Sequence, residues 1–297
     1  MAAKKKSVKL KSLSQGRPPT AKPHRSISSK ATRTLIRTHH TLEKRKAKAI
    51  ADGDVATAAA VSQQIEKQGG IESYQRASLT GQRNERGGDS SKILMDWLLP
   101  IQPKLKEISE KGNQFRMLEV GALSITNACS RSRLFEVERI DLNSQGEGIK
   151  QQDFMERPIP KDASEQFSII SLSLVLNYVP DAIGKGQMLL RTLKFLQKSA
   201  PEGLEEFFPS LFLVLPAPCV SNSRYMDEKK LESIMESLGY AMVKKKLSNK
   251  LVYYLWRMHA EVKPTSFKKI EIRTGKDRNN FSIVLKGKES SQKARIS

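Results

Sequence analysis

Residues 115–141 constrain the chain most. A short apolar run (Met117, Leu118, Val120) ends in Gly121, and a second (Val137, Ile140) ends in Asp141. A glycine at a strand end lets the backbone turn and pass close to a ligand, because no Cβ intervenes. An acid about twenty residues further on has the spacing that sets a carboxylate on a ribose diol in nucleotide-binding βαβ units. In a parallel sheet both groups stand at the carboxyl ends of adjacent strands, where ligands of open α/β sheets bind. Leu123 occupies the place of a second loop glycine. This stretch alone is therefore also compatible with a buried strand followed by an ordinary turn.

The downstream pattern extends the sheet. Strands are expected at Phe115–Val120 and Glu136–Asp141, joined by a short crossover helix, with a third short strand or turn near Ile149 that ends in Asp153-Phe154. Phe167–Leu176 is a near-continuous apolar run, as in parallel strands buried on both faces. Gly184 and Gly186 precede an expected helix from Gln187 to Gln197, whose buried side carries Met188, Leu189, Leu193 and Leu196. A fifth strand, Leu211–Leu215, is closed by Pro216, and a helix from about Asp227 to Leu238 ends at Gly239. Leu251–Trp256 and Phe281–Leu285 read as two last strands. Strands alternating with helices predict an α/β fold with a Rossmann-like, doubly wound, mostly parallel seven-stranded sheet.

Charge divides the chain differently. Residues 1–50 hold 15 Lys/Arg against one acid, net +14, and residues 241–297 hold 15 against four, net +11. The middle, 51–240, has 22 bases and 26 acids, net −4. A near-neutral body with two basic ends is suited to a polyphosphate partner, above all RNA, since each phosphate neutralised releases counterions. Cys129 and Cys219 are too few for a disulfide framework or a zinc cluster and suit a reducing compartment. No run of about 18 apolar residues and no signal peptide occur, so a soluble intracellular protein without membrane or metal is expected.

The N-terminal third reads as an extension. Residues 1–26, with Lys4-Lys5-Lys6 and Gly16-Arg17-Pro18-Pro19, are expected to be a disordered basic tail. It reads either as solubilising or as a nuclear or nucleolar address that also touches RNA. Residues 27–91 are a helical extension and Gly-rich cap segment. One basic helix carries Leu35, Thr38, Leu42 and Ala49, Gly53 breaks it, and an Ala-rich helix (Ala56 to Ile65) ends at Gly69-Gly70. The segment after it is a plain linker or folds over the site, since it abuts a helix expected from Ile93 to Leu99 and stopped by Pro100. The main domain spans 92–287, and 288–297 is a second disordered basic tail.

No local signature pairs His24, His39, His40 or His259 with a nucleophile, and no Gly-Lys-Ser/Thr phosphate loop exists. The candidate groups stand at strand carboxyl ends. Asp141 is placed for ribose hydroxyls, Asp153 for an adenine amine with Phe154 on the ring, and Asn177 and Tyr178 where a substrate meets the cofactor. Asp153 is equally a turn cap, and Tyr178 equally packing under a loop.

This arrangement resembles the class I S-adenosylmethionine-dependent methyltransferases. Leu118-Glu119-Val120-Gly121 matches their first motif, Asp141 their ribose acid, Asp153-Phe154 their adenine-contacting pair and the run from Ser168 to Pro180 their fourth strand. The loop lacks the later glycines, and the Asn-Pro-Pro-aromatic motif of exocyclic-amine enzymes is absent. More closely, the chain is similar over about residues 70–260 to the fungal nucleolar methyltransferases of adenine N1 in large-subunit (25S) rRNA. The matching stretches run from Tyr74 to Lys92, Leu118 to Leu123, Arg139 to Asn143, Gln152 to Phe154 and Leu172 to Pro180.

The resemblance implies S-adenosylmethionine held by Glu119, Gly121, Asp141, Asp153 and Phe154, and catalysis at Asn177 and Tyr178. It also implies a nucleolar monomer acting on rRNA or a pre-ribosomal particle, and a role for 74–92 at the pocket. Adenine N1 has a lone pair, so attack needs positioning and no strong base, with a proton leaving only afterwards. The alternatives are a non-catalytic S-adenosylmethionine sensor, which would not need two basic ends, and a ribosome-assembly protein with a dead pocket.

Overall fold

The computed structural model describes residues 29–70, 72–73, 88–112, 115–144, 146–263 and 265–287. The expected tails, 1–26 and 288–297, and the glycine-rich stretch 74–87 lie outside the described residues.

Asp54 accepts from Thr57 N–H at 2.9 Å and so starts α2 (Val55–Lys67) after α1 (Ser29–Ala51), with Gly53 at φ +74° between them. The two helices enclose a small cluster of their own, Leu42, Val61 and Ile65. Ser91–Leu98 forms α3. Pro100 does not end the helical path as expected: a 3₁₀ turn, Leu99–Ile101, leads into α4, Gln102–Glu110. Proline lacks only the N–H that the first turn of a helix leaves unpaired, so it is tolerated there.

The sheet comprises β1 (Phe115–Val120), β2 (Phe135–Asp141), β3 (Lys150–Gln151), β4 (Ile169–Ser173), β5 (Ser210–Pro216), β6 (Tyr240–Leu247) and β7 (Leu251–Met258). Its order is β3-β2-β1-β4-β5-β7-β6. The first five strands are parallel, and β7 runs antiparallel between β5 and β6. The connecting helices are α5 (Ala128–Arg131), α6 (Ala182–Phe195), α7 (Pro218–Ser221) and α8 (Glu228–Ser237). As expected from the short spacing, α5 has only four residues.

Apolar residues of β5 alternate between two cores. Leu211, Leu213 and Leu215 join α6 and α8 in one cluster, while Phe212 and Val214 join Leu94, Leu98 and Leu105 of α3 and α4 in the other. Each such buried side chain stabilises by about 1.5–3 kcal/mol, and a strand covered on both faces has no polar side to show.

Two boundaries and one expected strand differ most from expectation. β4 stops at Ser173, because Leu174 takes φ +58° and turns the chain out of the sheet. Helix α6 starts at Ala182, capped by Asp181 on Gly184 N–H (2.7 Å), so Gly184 and Gly186 lie inside it. A Cβ on Gly186 would collide with the carbonyl of Val284, which explains the glycine without a helix break. The last correction concerns the sheet edge: Phe281–Leu285 is no strand of the sheet. It packs Phe281, Ile283 and Leu285 into the core, with Val284 N–H on Ala182 O (2.8 Å). The strand in its place is β6, whose Lys244-Lys245-Lys246 hides it from an apolar-run reading.

Candidate active site

Sheet order reverses between β1 and β4, where the turns leaving adjacent parallel strands diverge and open a crevice. Gly121 leaves β1 at φ +74° and donates to Ile140 O (2.8 Å), as does Ala122 (3.1 Å). The turn after β1 is thereby clamped to the end of β2, one residue from Asp141. A Cβ at Gly121 would lie 2.6 Å from Val175 Cγ2, so the turn after β4 presses in from the other side. Gly121→Ala therefore combines a left-handed backbone with a clash. We expect it to cost about 1–3 kcal/mol in denaturant unfolding; a variant as stable as the parent would mean that this turn has another conformation open to it.

Asp141 is half-buried and accepts from Asn143 N–H (2.9 Å), which folds the chain back beside the crevice. Glu119, two residues before Gly121, is nearly enclosed: Oε1 accepts from Asn127 Nδ2 (2.6 Å), and Oε2 is buried with no donor among the described residues. Burial pushes its carboxyl up to about 7, against the opposing pull of the Asn127 bond and of Arg139 on the neighbouring strand. At Asn177, in the loop after β4, Oδ1 is likewise buried without a donor. Tyr178 N–H donates to Val175 O (2.8 Å), closing the turn that carries both residues. The buried Lys185 ammonium holds the far side of this loop through the carbonyls of Val179 and Asp181.

Asp153 accepts from Met155 N–H (2.7 Å) and caps a turn. Phe154 was expected to place its ring on adenine. Instead the ring is 2 % exposed and packs on Phe195 at 5.2 Å between centroids, with Arg191 Nε on its carbonyl (2.7 Å). Within this pair, Asp153 is the half-buried member and Phe154 belongs to the core.

Three residues at the crevice belong to the 74–92 segment, which the sequence pointed to as a stretch without giving its residues individual roles. Asp89 Oδ1 accepts from Ser91 N–H (2.9 Å) and Oγ (2.6 Å), while Oδ2 accepts from Ala128 N–H (2.5 Å) at the start of α5. Ser91 Oγ accepts from Cys129 N–H (3.1 Å), and Ser90 Oγ bonds Ser173 Oγ (2.8 Å) at the end of β4. The segment 88–91 thus ties the start of α5 to the end of β4. Its only sequence signal was its place in the stretch from Tyr74 to Lys92.

The site suits a cofactor that brings donors. Among the described residues Glu119 Oε2 is an enclosed acceptor without a donor, suited to a cationic or N–H group, and the Asp141 carboxylate, suited to hydroxyls, lies beside the same glycine turn. Among the described residues no cluster of three His, Cys, Asp or Glu side chains could hold a metal, and no helix is long and apolar enough to cross a membrane.

The strand order, the antiparallel β7 and the site at the β1/β4 divergence define a class I methyltransferase-type domain. The profile of one family, described as 25S rRNA (adenine(2142)-N(1))-methyltransferase, Bmt2, matches residues 59–283. A 25S rRNA adenine-N(1) methyltransferase of Schizosaccharomyces pombe is 42% identical over 256 residues, 84% of this chain and 89% of that protein. The 25S rRNA (adenine(2142)-N(1))-methyltransferase of Saccharomyces cerevisiae is 42% identical over 228 residues, 76% of this chain and 63% of that protein. The chain belongs to this Bmt2 family.

Proposed function

We propose that the protein methylates N1 of an adenine in 25S rRNA with S-adenosylmethionine, as a monomer in the nucleolus. One observation supports the assignment of the site: two buried acceptors without donors among the described residues, Glu119 Oε2 and Asn177 Oδ1, on the loops or ends of neighbouring strands β1 and β4. Glu119 meets the cofactor's ammonium, Asp141 its ribose hydroxyls and Asp153 its adenine amine, while Phe154 supports that turn from the core. When bound, S-adenosylmethionine supplies an electrophilic methyl whose transfer carries the sulfonium charge onto the base, so no proton need leave before the bond forms.

The protein's own task is orientation. Asn177 Oδ1 accepts from the exocyclic amine beside N1, which aims the N1 lone pair. Tyr178 offers an aromatic surface to the base, which must be unpaired or flipped because N1 lies on its pairing edge. The basic ends favour an rRNA substrate over a purely protein-signalling role and support the nucleolar address.

The test uses purified full-length chain, labelled S-adenosylmethionine and unmodified 25S rRNA, followed by nucleoside mass spectrometry. N1-methyladenosine is expected. Cofactor binding without transfer would favour a sensor, and neither binding nor transfer an assembly protein.

A further inference from the structure

β6 is an edge strand, and its lysines are not equivalent. Lys245 turns toward α8 and pairs with Glu228 at 2.6 Å, where the Tyr254 hydroxyl also donates to the same carboxylate (3.1 Å). Lys244 and Lys246 point to the other face, opposite Leu255 and Tyr253 across the ladder, and are exposed without an acid partner among the described residues. The register shift between Met242 and Lys244 re-aims this end of the strand. Lys250 is exposed in the turn that follows, and its carbonyl accepts from Ala217 N–H (2.8 Å), the residue after β5.

Register then places these cations relative to the chemistry. Leu247 pairs with Val252, and Pro216 at the carboxyl end of β5 pairs with Leu251. The β6–β7 turn therefore emerges at the same end of the sheet as Gly121, Asp141 and Ser173. Three strand spacings separate β6 from β4, about 14 Å. A strand whose adenine enters beside β4 reaches this turn if its neighbouring phosphates run across this end of the sheet toward β6.

We propose that Lys244, Lys246 and Lys250 form a phosphate track for the rRNA strand flanking the target adenine. The track rests on the functional reading above and gives that reading an RNA-binding face. Lysines on an edge strand also deter edge-to-edge pairing. That role alone does not account for Lys250, which lies off the strand, nor for the neutralised Lys245 between two unpaired neighbours.

The full-length triple variant Lys244→Ser, Lys246→Ser, Lys250→Ser is compared with Lys245→Ser. Filter binding to a 25S rRNA transcript is measured between about 50 and 200 mM salt. The triple variant is expected to bind about tenfold or more weakly at the lower salt, with the logarithmic salt slope reduced by about 2. Its KM for rRNA rises while kcat and calorimetric cofactor binding stay unchanged, and Lys245→Ser keeps the parental slope.

Should the triple variant lose cofactor binding, the single variants Lys246→Ser and Lys250→Glu decide by the same slope. A parental slope and affinity in the folded variants overturn the track. If self-association on sedimentation accompanies that result, the lysines guard the edge. Parental chain that makes no N1-methyladenosine overturns the functional reading; a methylating parent with an unchanged variant slope overturns the track alone.

Discussion

Asp141→Ala is expected to abolish detectable cofactor binding in calorimetry while the chain still folds. Its carboxylate ends β2 beside the Gly121 turn, and in the proposed site it accepts from two ribose hydroxyls. Hydrogen bonds to a charged group are worth about 1.5–3 kcal/mol each, so losing the carboxylate weakens binding by about 10²-fold or more. Inside the fold the substitution gives up, among others, the bond from Asn143 N–H, worth about 1 kcal/mol. A variant that melts normally and binds normally would remove Asp141 from the site.

Glu119→Gln is expected to move stability and binding in opposite directions. The folded chain holds this carboxyl at about 7, above its ordinary 4.5, because burial opposes the charge. Between those values the folded state keeps a proton that the unfolded chain has released, so stability falls as pH rises through that window. The full span corresponds to about 3 kcal/mol, and glutamine removes it. The variant should therefore unfold several degrees higher than the parent at pH 8 and lose the decline between pH 5 and 7. Parental cofactor affinity should rise as Glu119 ionises between about pH 6 and 8, and the variant should bind weakly with a flat profile. A merely structural carboxyl would give the stability change without the binding change, and an unaltered stability profile would deny the enclosed charge.

What could be read from the chain beforehand follows a physical divide. β1 and β5 are buried on both faces, so their apolar runs mark their bounds nearly to the residue. β6 has no such mark, because an edge strand can expose three successive lysines and still complete its ladder with β7. Phe281, Ile283 and Leu285 alternate as a strand would, yet they fill a groove that Gly186 leaves open on α6. Two-residue periodicity reports burial on one side and does not report hydrogen bonding.

The same divide runs through the site. Gly121 and Asp141 are fixed relative to each other by one βαβ unit, so their spacing carries the information. Asp89, Ser90 and Ser91 reach the crevice only through tertiary bonds to Ala128, Cys129 and Ser173. The enclosed Phe154 ring is a comparable case, since nothing local distinguishes a ring that faces a ligand from one that faces Phe195.

The place of β7 has a consequence for biosynthesis. The last of the described strands to leave the ribosome sits between β5 and β6, so β5 stays open along one side and β6 has no sheet partner until residues 251–258 arrive. β5 is buried along nearly its whole length in the finished sheet, and its open margin is the kind of surface that recruits a neighbouring nascent chain. A chain ending short of β7 would therefore present a sticky edge instead of a smaller enzyme.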